Sequence, residues 1–306
     1  MTLVLRVLKW LGIVLLIGLI FGLAWPWRVV LSEGFTGAKY QDYLGSHMQV
    51  PDLAGDTPTF SFPPEFYDNR LYLVGEIHGT QRAQDIDLAF MKHLNQSAGV
   101  RWLMAELSYV EAERFNAYLE TGEETYLNPV FDRWLSSATQ WGNQQHYEKV
   151  RRLRAYNLTR PEAERLRYFG VDLISEDERS DAAAWLANLM ENLPDTAPAD
   201  LLALREASAA FDPETFPAIA ERALTSLATD GGSTDGLETL NLAAVQHLTK
   251  NMLMSLQGAG RYDAIPSNIT AMVEEFGIGD DEPLYGFWGL FHAMKAVVNE
   301  TGRPLA

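Results

Sequence analysis

The chain has 306 residues, 47% of them hydrophobic, which suffices for a large packed core and excludes intrinsic disorder as its main state. Its 41 acidic residues outnumber 24 basic ones and give a net charge of -17, which argues against nucleic-acid binding because such a surface repels phosphate backbones. Cysteine is absent, which excludes disulfides, zinc-thiolate sites, iron–sulfur clusters and a cysteine nucleophile.

The N-terminal segment is predicted to be a membrane anchor. Residues 11–27 are uncharged and largely apolar, and Trp10 extends the run, so that it can cross a bilayer core at about 1.5 Å per residue. Two basic residues precede the run and only Arg28 directly follows it, so the positive-inside rule places the N-terminus in the cytoplasm and the body outside, periplasmic or extracellular. We therefore expect a single-pass signal-anchor in residues 1–30. A cleaved signal peptide is the alternative, although no small-x-small cleavage site lies near Ala24.

The rest of the chain reads as a connector followed by an α/β domain. Residues 31–69, which hold several prolines and glycines, are predicted to be a juxtamembrane connector, and the domain is expected over 70–306. Short apolar runs predict four buried strands, at 70–74, 101–107, 166–173 and 283–291. Helical spacing predicts helices at 81–96, 110–120, 144–156, 264–276 and 292–298, and a helical insertion over about 176–260 with a loop at 231–236. This alternation predicts a parallel sheet with helices on both faces.

Chemistry-bearing side chains follow the ends of the predicted strands. Glu76 and His78 come after the first strand and Glu106 after the second. Asp172 follows the third, where a structural role in a loop is favoured, and His292 follows the fourth. Because ligands of open parallel sheets bind at the carboxyl ends of the strands, we expect Glu76, His78, Glu106 and His292 to surround one cleft. A histidine beside a carboxylate can activate water or hold a divalent metal.

Other polar groups are interpreted as structural or surface residues. The remaining histidines fall in the connector or on predicted helices and are interpreted as structural or surface residues: His47, His93, His146 and His247. The basic stretch at Lys149, Arg151, Arg152 and Arg154 is interpreted as a solvated helix face, with a substrate-anion role as the minority alternative.

Several motifs resemble the superfamily that joins erythromycin esterases, ChaN-type haem-binding lipoproteins and proteins of the TraB and Tiki type. VGEIHGT (74–80) is similar to its Gly-Glu-x-His signature, and an apolar strand with Glu106 follows about one βα unit later. Three further stretches resemble esterase motifs: RRLRAYN (151–157) before YFGVDL (168–173), RYDAIPSNI (261–269), and YGFWGLFH (285–292), which delivers the second histidine. The resemblance covers roughly residues 70–298, and it implies catalytic positions for Glu76, His78, Glu106 and His292.

The resemblance and the residues together predict a membrane-anchored extracytoplasmic hydrolase of ester or amide bonds, acting on a small-molecule or peptide substrate. With no cysteine and no Gly-x-Ser-x-Gly elbow, direct attack by water is expected, with His78 as general base and Glu76 orienting it. The metal-free route is favoured, and the alternative is a divalent ion held by His78, Glu106 and His292. Two other hypotheses stay open: a haem- or iron-binding protein, with Tyr109 or a histidine as axial ligand, and an inert membrane-tethered interaction domain.

Overall fold

A computed structural model of the chain describes residues 45–46, 60–76, 79–228 and 240–290. The chain divides into two units, Met1–Pro51 and Asp52–Ala306, and the second holds all the elements discussed below. Among the described residues, no helix is both long enough and apolar enough to cross a membrane. The predicted anchor in residues 1–30, the loop at 231–236 and the helix at 292–298 lie outside the described residues.

Four short strands form one parallel sheet, which confirms the predicted α/β class. They are β1 (Leu71–Glu76), β2 (Trp102–Ala105), β3 (Arg167–Gly170) and β4 (Leu284–Gly289). Their spatial order is β1-β4-β2-β3, and every neighbouring pair is parallel. The last strand in the chain therefore lies between the first two, so that the ends of β1, β4 and β2 are neighbours.

Nine described helices follow in chain order, as listed here: α1 (Gln81–Ala98), α2 (Tyr109–Thr121), α3 (Glu124–Ser136), α4 (Gln144–Asn157), α5 (Arg179–Leu189), α6 (Ala199–Ala209), α7 (Phe216–Ala228), α8 (Leu242–Leu256) and α9 (Arg261–Glu275). Short 3-10 helices occupy Pro64–Asp68, Glu162–Glu164 and Glu176–Glu178. The predicted strands match β1–β4 closely. Helix α3 was not predicted, and it buries Leu127, Val130 and Trp134 despite the proline at position 129.

Helices cover both faces of the sheet. Tyr72, Leu103, Tyr168 and Tyr285 belong to a core cluster with side chains of α1–α4. The alternate strand residues, such as Met104, Phe169 and Trp288, belong to a second cluster, mainly with side chains of α5–α9. Successive strand residues point to opposite faces, so burial of both faces explains why each strand is a continuous apolar run. The described parts of the predicted helical block, 176–228 and 240–260, contain α5–α8 on this second face.

The described end of the predicted connector packs against α1. Phe60 is buried, and its ring centroid lies 4.3 Å from that of Phe90 on α1. The Tyr67 hydroxyl is 2.9 Å from Nε2 of His93, also on α1. Residues 60–68 therefore attach to the α1–α4 side of the domain, through an aromatic contact and a hydrogen bond.

Candidate active site

The carboxyl ends of β1 and β4 lie side by side. Glu76 is the last residue of β1, is 7% exposed, and pairs in register with Gly289, the last residue of β4. Strand alternation places Glu76 on the same face as Tyr72, towards α1–α4. His78 and His292, the two predicted catalytic histidines, lie outside the described residues.

Glu106 is fixed at the next strand end by two hydrogen bonds. Its Oε2 accepts from the backbone N–H of Gly289 at 2.8 Å, and its Oε1 accepts from Arg261 at 2.8 Å. The Glu106 side chain is only 3% exposed. Gly289 therefore links the two predicted carboxylates, since it pairs with Glu76 in the sheet and donates to Glu106. The two glutamates occupy the strand ends on either side of β4, Glu76 on the α1–α4 side of the sheet and Glu106 on the α9 side.

Arg261 joins the ends of β2 and β3. Its Nε donates to Asp172 at 2.7 and 2.8 Å, while its terminal nitrogen contacts both Asp172, at 2.6 Å, and Glu106. Burial acts to lower the pKa of Arg261, but the hydrogen bonds and charges of Asp172 and Glu106 outweigh it and raise that pKa. Sequence reasoning missed Arg261 as a site residue, although its motif carried part of the resemblance. Arg261 follows Gly260 at the start of α9, but a helix start does not indicate where the helix packs, so no local signal marked this residue.

Asn268 and His247 support the segment that follows β3 and carries Asp172. The Asn268 side-chain amide donates to the carbonyls of Val171 and Asp172, at 2.9 and 3.2 Å. His247 Nε2 lies 3.3 Å from the Asn268 side-chain oxygen, in a buried contact. These contacts fix the chain directly after β3 and so position Asp172 for Arg261.

The interpretation of Lys149 as part of a solvated helix face is wrong. Its side chain is 7% exposed and its ammonium lies 2.7 Å from the carboxylate of Asp87, which is 1% exposed. Asp87 also accepts from the Tyr285 hydroxyl at 2.8 Å. Helix α4 turns Lys149 inward to α1 and the sheet, whereas Arg152 on the same helix forms an exposed pair with Asp85. Within this basic run, Lys149 therefore forms a buried ion pair and Arg152 a solvated one.

Asn157, at the end of the RRLRAYN motif, has a structural role. Its amide donates to the Leu166 carbonyl at 2.8 Å, and its side-chain oxygen accepts from the Leu166 backbone N–H at 2.9 Å. This pair of bonds ties the end of α4 to the start of β3.

Neither cofactor hypothesis gains a ligand set from the described residues. Within them, no group of three or more histidines and carboxylates is placed to hold a metal ion. Tyr109, the candidate haem ligand, is 2% exposed, and its hydroxyl donates to Glu275 at 3.0 Å. Burial, the first cause, and the nearby charges of Glu113 and Glu275 raise the pKa of this hydroxyl, so it stays protonated in the core.

One of the similar solved structures shares this fold at low sequence identity, and two others match with TM-scores below 0.5. A Bacillus cereus protein determined by structural genomics matches with a TM-score of 0.60 and 15% identity, over 87% of this chain and 69% of that one. A variant of the erythromycin esterase EreC in its open conformation matches at 14% identity with a TM-score of 0.47, over 76% of this chain and 64% of its own. A succinoglycan biosynthesis protein matches at 12% identity with a TM-score of 0.49, over 76% and 60%.

None of the curated proteins matches the chain. The family model for erythromycin esterase matches residues 96–271, more than half of the sequence. The match takes in Glu106, Asp172 and Arg261, whose contacts join the ends of β2 and β3. The chain belongs to the erythromycin esterase family.

Proposed function

We propose that the chain is a membrane-anchored, extracytoplasmic hydrolase of ester or amide bonds in which water is activated by His78. Glu76, two residues earlier in the sequence, orients or charge-stabilises the histidine, and His292 completes the site. The observation that carries the proposal is that Glu76 and Glu106 flank the end of β4, where Gly289 pairs with Glu76 and donates to Glu106. In the sequence, Glu76 precedes His78 by two residues, and Gly289 at the end of β4 precedes His292 by three.

Glu106 acts in this proposal as a positioning and electrostatic group rather than as the base. Both of its carboxylate oxygens already accept hydrogen bonds, one from a guanidinium. A substrate proton taken up on either oxygen would compete with the hydrogen bond that this oxygen already accepts. The general base is therefore assigned to His78, whose ordinary pKa suits proton transfer near neutral pH.

The Arg261 guanidinium is a further candidate for contact with the substrate. Its side chain is 39% exposed, although two carboxylates hold it in place. A fixed and accessible cation at the carboxyl end of a sheet suits stabilisation of the negative charge that develops on a carbonyl oxygen during hydrolysis.

The inert interaction domain is the second candidate, and the ion pairs of Arg261 favour it. Arg261 sits between Glu106 and Asp172, an arrangement that structural salt bridges also adopt. Under this alternative, the cluster only joins β2, β3 and α9, and no substrate is turned over.

A hydrolysis screen with metal analysis distinguishes the candidates. Full-length protein would be assayed against 4-nitrophenyl esters and against peptide amides, with and without chelator, after its metal and haem content has been determined. The proposal predicts turnover of at least one class, unaffected by chelator. Loss of turnover to chelator, restored by one divalent ion, would replace the metal-free mechanism by a metal-assisted one. Absence of turnover across both classes would favour the inert domain, and bound haem would favour the haem-binding alternative.

The anchor proposal has its own test. Alkaline carbonate extraction should leave the full-length protein in the membrane fraction, because about 18 apolar residues cannot be stripped from a bilayer by charge repulsion. Release into the soluble fraction would overturn the anchor without affecting the proposed chemistry.

A further inference from the structure

A small cavity lies between α1, α4 and the sheet, beside the candidate site. Its volume is about 40 Å³, and Ala105, Glu106 and Leu107 at the end of β2 form part of its wall. Asp87 from α1 and Lys149 from α4 also line it. The cavity therefore extends from the carboxyl end of β2 into the interior on the α1–α4 face.

Two buried polar atoms of the cavity lining have no hydrogen-bond partner among the described residues. They are the hydroxyl of Tyr168, a residue 3% exposed, and Nδ1 of His146, a residue 6% exposed. A buried polar atom left unsatisfied is costly, and most buried polar atoms in folded proteins are paired with protein or with ordered water. Two of them around one cavity indicate a site for a hydrogen-bonding occupant.

The charges around the cavity select a neutral occupant. Lys149 and Asp87 pair at 2.7 Å and compensate each other. Burial raises the pKa of the Tyr168 hydroxyl well above its ordinary value and lowers that of His146 well below, so both groups are neutral. A charged occupant would carry an uncompensated charge into this buried space, and an apolar one would leave the hydroxyl and the imidazole unsatisfied.

We infer that this cavity is a specificity pocket for a compact neutral hydrogen-bonding group of the substrate, of the size of a hydroxymethyl group. The inference rests on the proposed function for what carries that group, namely an ester or amide whose scissile bond lies at the end of β2 near Glu106. The cavity volume, counted as space open to the centre of a water-sized sphere, exceeds the roughly 10–15 Å³ that one water molecule needs on that measure, so a hydroxyl group with its carbon fits.

Binding of two matched amides to the full-length protein tests the pocket. Glycolamide and propionamide have the same number of heavy atoms and differ only in a hydroxyl in place of a methyl group. Titration followed by ligand-observed NMR should show glycolamide binding about 3- to 10-fold more tightly, the range expected for one net hydrogen bond. The Tyr168→Phe variant should lose that preference while keeping its fold, because the deleted hydroxyl has no protein partner among the described residues.

Tyr72→Phe is the matched control, since Tyr72 is buried on the same face of the sheet and does not line the cavity. It should retain the preference for glycolamide. Equal affinity for the two amides, binding of neither, or a preference that survives in Tyr168→Phe would overturn the pocket. A preference for glycolamide without hydrolysis of any ester or amide would leave the pocket standing and reject the proposed function. Hydrolysis of an ester or amide without a preference for glycolamide would support the proposed function and reject the pocket.

Discussion

Replacing Lys149 with methionine should destabilise the protein strongly, because it leaves the carboxylate of Asp87 buried without its cation. The two side chains are 7% and 1% exposed, so bulk water solvates the unpaired carboxylate poorly, and among the described residues the Tyr285 hydroxyl is the donor left to Asp87. Breaking one side of a buried ion pair costs about 3–5 kcal/mol. For a domain of this size, that corresponds to a fall of about 6–20 °C in Tm.

Thermal unfolding of the full-length protein, followed by tryptophan fluorescence, measures this loss against a matched control. Arg152→Met removes the cation of an exposed pair on the same helix, in which Arg152 is 49% and Asp85 30% exposed. Exposed pairs contribute about 0–1 kcal/mol, so the control should shift Tm by no more than about 4 °C. The double variant Asp87→Asn, Lys149→Met should recover most of the loss because no unpaired charge remains.

The deficit of Lys149→Met should also depend on pH. Burial raises the pKa of Asp87, and loss of Lys149 removes an interaction that opposes this rise. A carboxyl with a raised folded-state pKa loses stability as pH increases from its unfolded pKa to its folded one. The variant should therefore be closer to the wild type at pH 5 than at pH 8. A loss below 1 kcal/mol at pH 8, or one equal to that of Arg152→Met, would refute the reasoning.

Two further predictions concern stability, one at a close backbone contact and one at a buried carboxyl group. Gly170→Ala should cost at least about 1–3 kcal/mol in urea unfolding, because its new Cβ would lie 2.0 Å from the Ser108 carbonyl oxygen; a loss under 0.5 kcal/mol would contradict this packing. Burial and the charge of Glu111 raise the pKa of Glu178 to about 8, so its contribution to stability falls as pH rises from about 5 to 8, by up to about 1.4 kcal/mol per unit. Relative to the wild type, Glu178→Gln should flatten that decline in unfolding midpoints measured from pH 5 to 8.5, and an unchanged slope would count against a buried protonated carboxyl.

The class of fold and the strands could be predicted because apolar runs record burial directly. A strand buried on both faces, such as β4, is a continuous apolar run, and its length separates it from a helix. Its position between β1 and β2 could not be predicted, since chain order does not determine strand order. Helix α3 was missed because a proline usually ends a helix, whereas its buried face packs on α2 in spite of Pro129.

The candidate site could be predicted only in part, for a related reason. Glu76 and Glu106 were identifiable because strand ends mark the ligand-binding edge of a parallel sheet. Arg261 is 155 positions from Glu106 in the chain, and no local pattern indicates that α9 returns to that edge. Lys149 was misassigned because its neighbours are basic and exposed, and only the packing of α4 on α1 shows which member of the run points inward.

The most direct test of the central claim is the effect of His78→Ala on kcat/KM for the best substrate of the hydrolysis screen. Removal of a general base should lower kcat/KM by about 10²–10⁴-fold with Tm unchanged. His93→Gln is the matched control. His93 lies in the C-terminal half of α1, where it contacts the Tyr67 hydroxyl, and it follows no strand end. This variant should retain wild-type kcat/KM. A His78→Ala protein that keeps more than a tenth of the wild-type value would contradict water activation by this histidine.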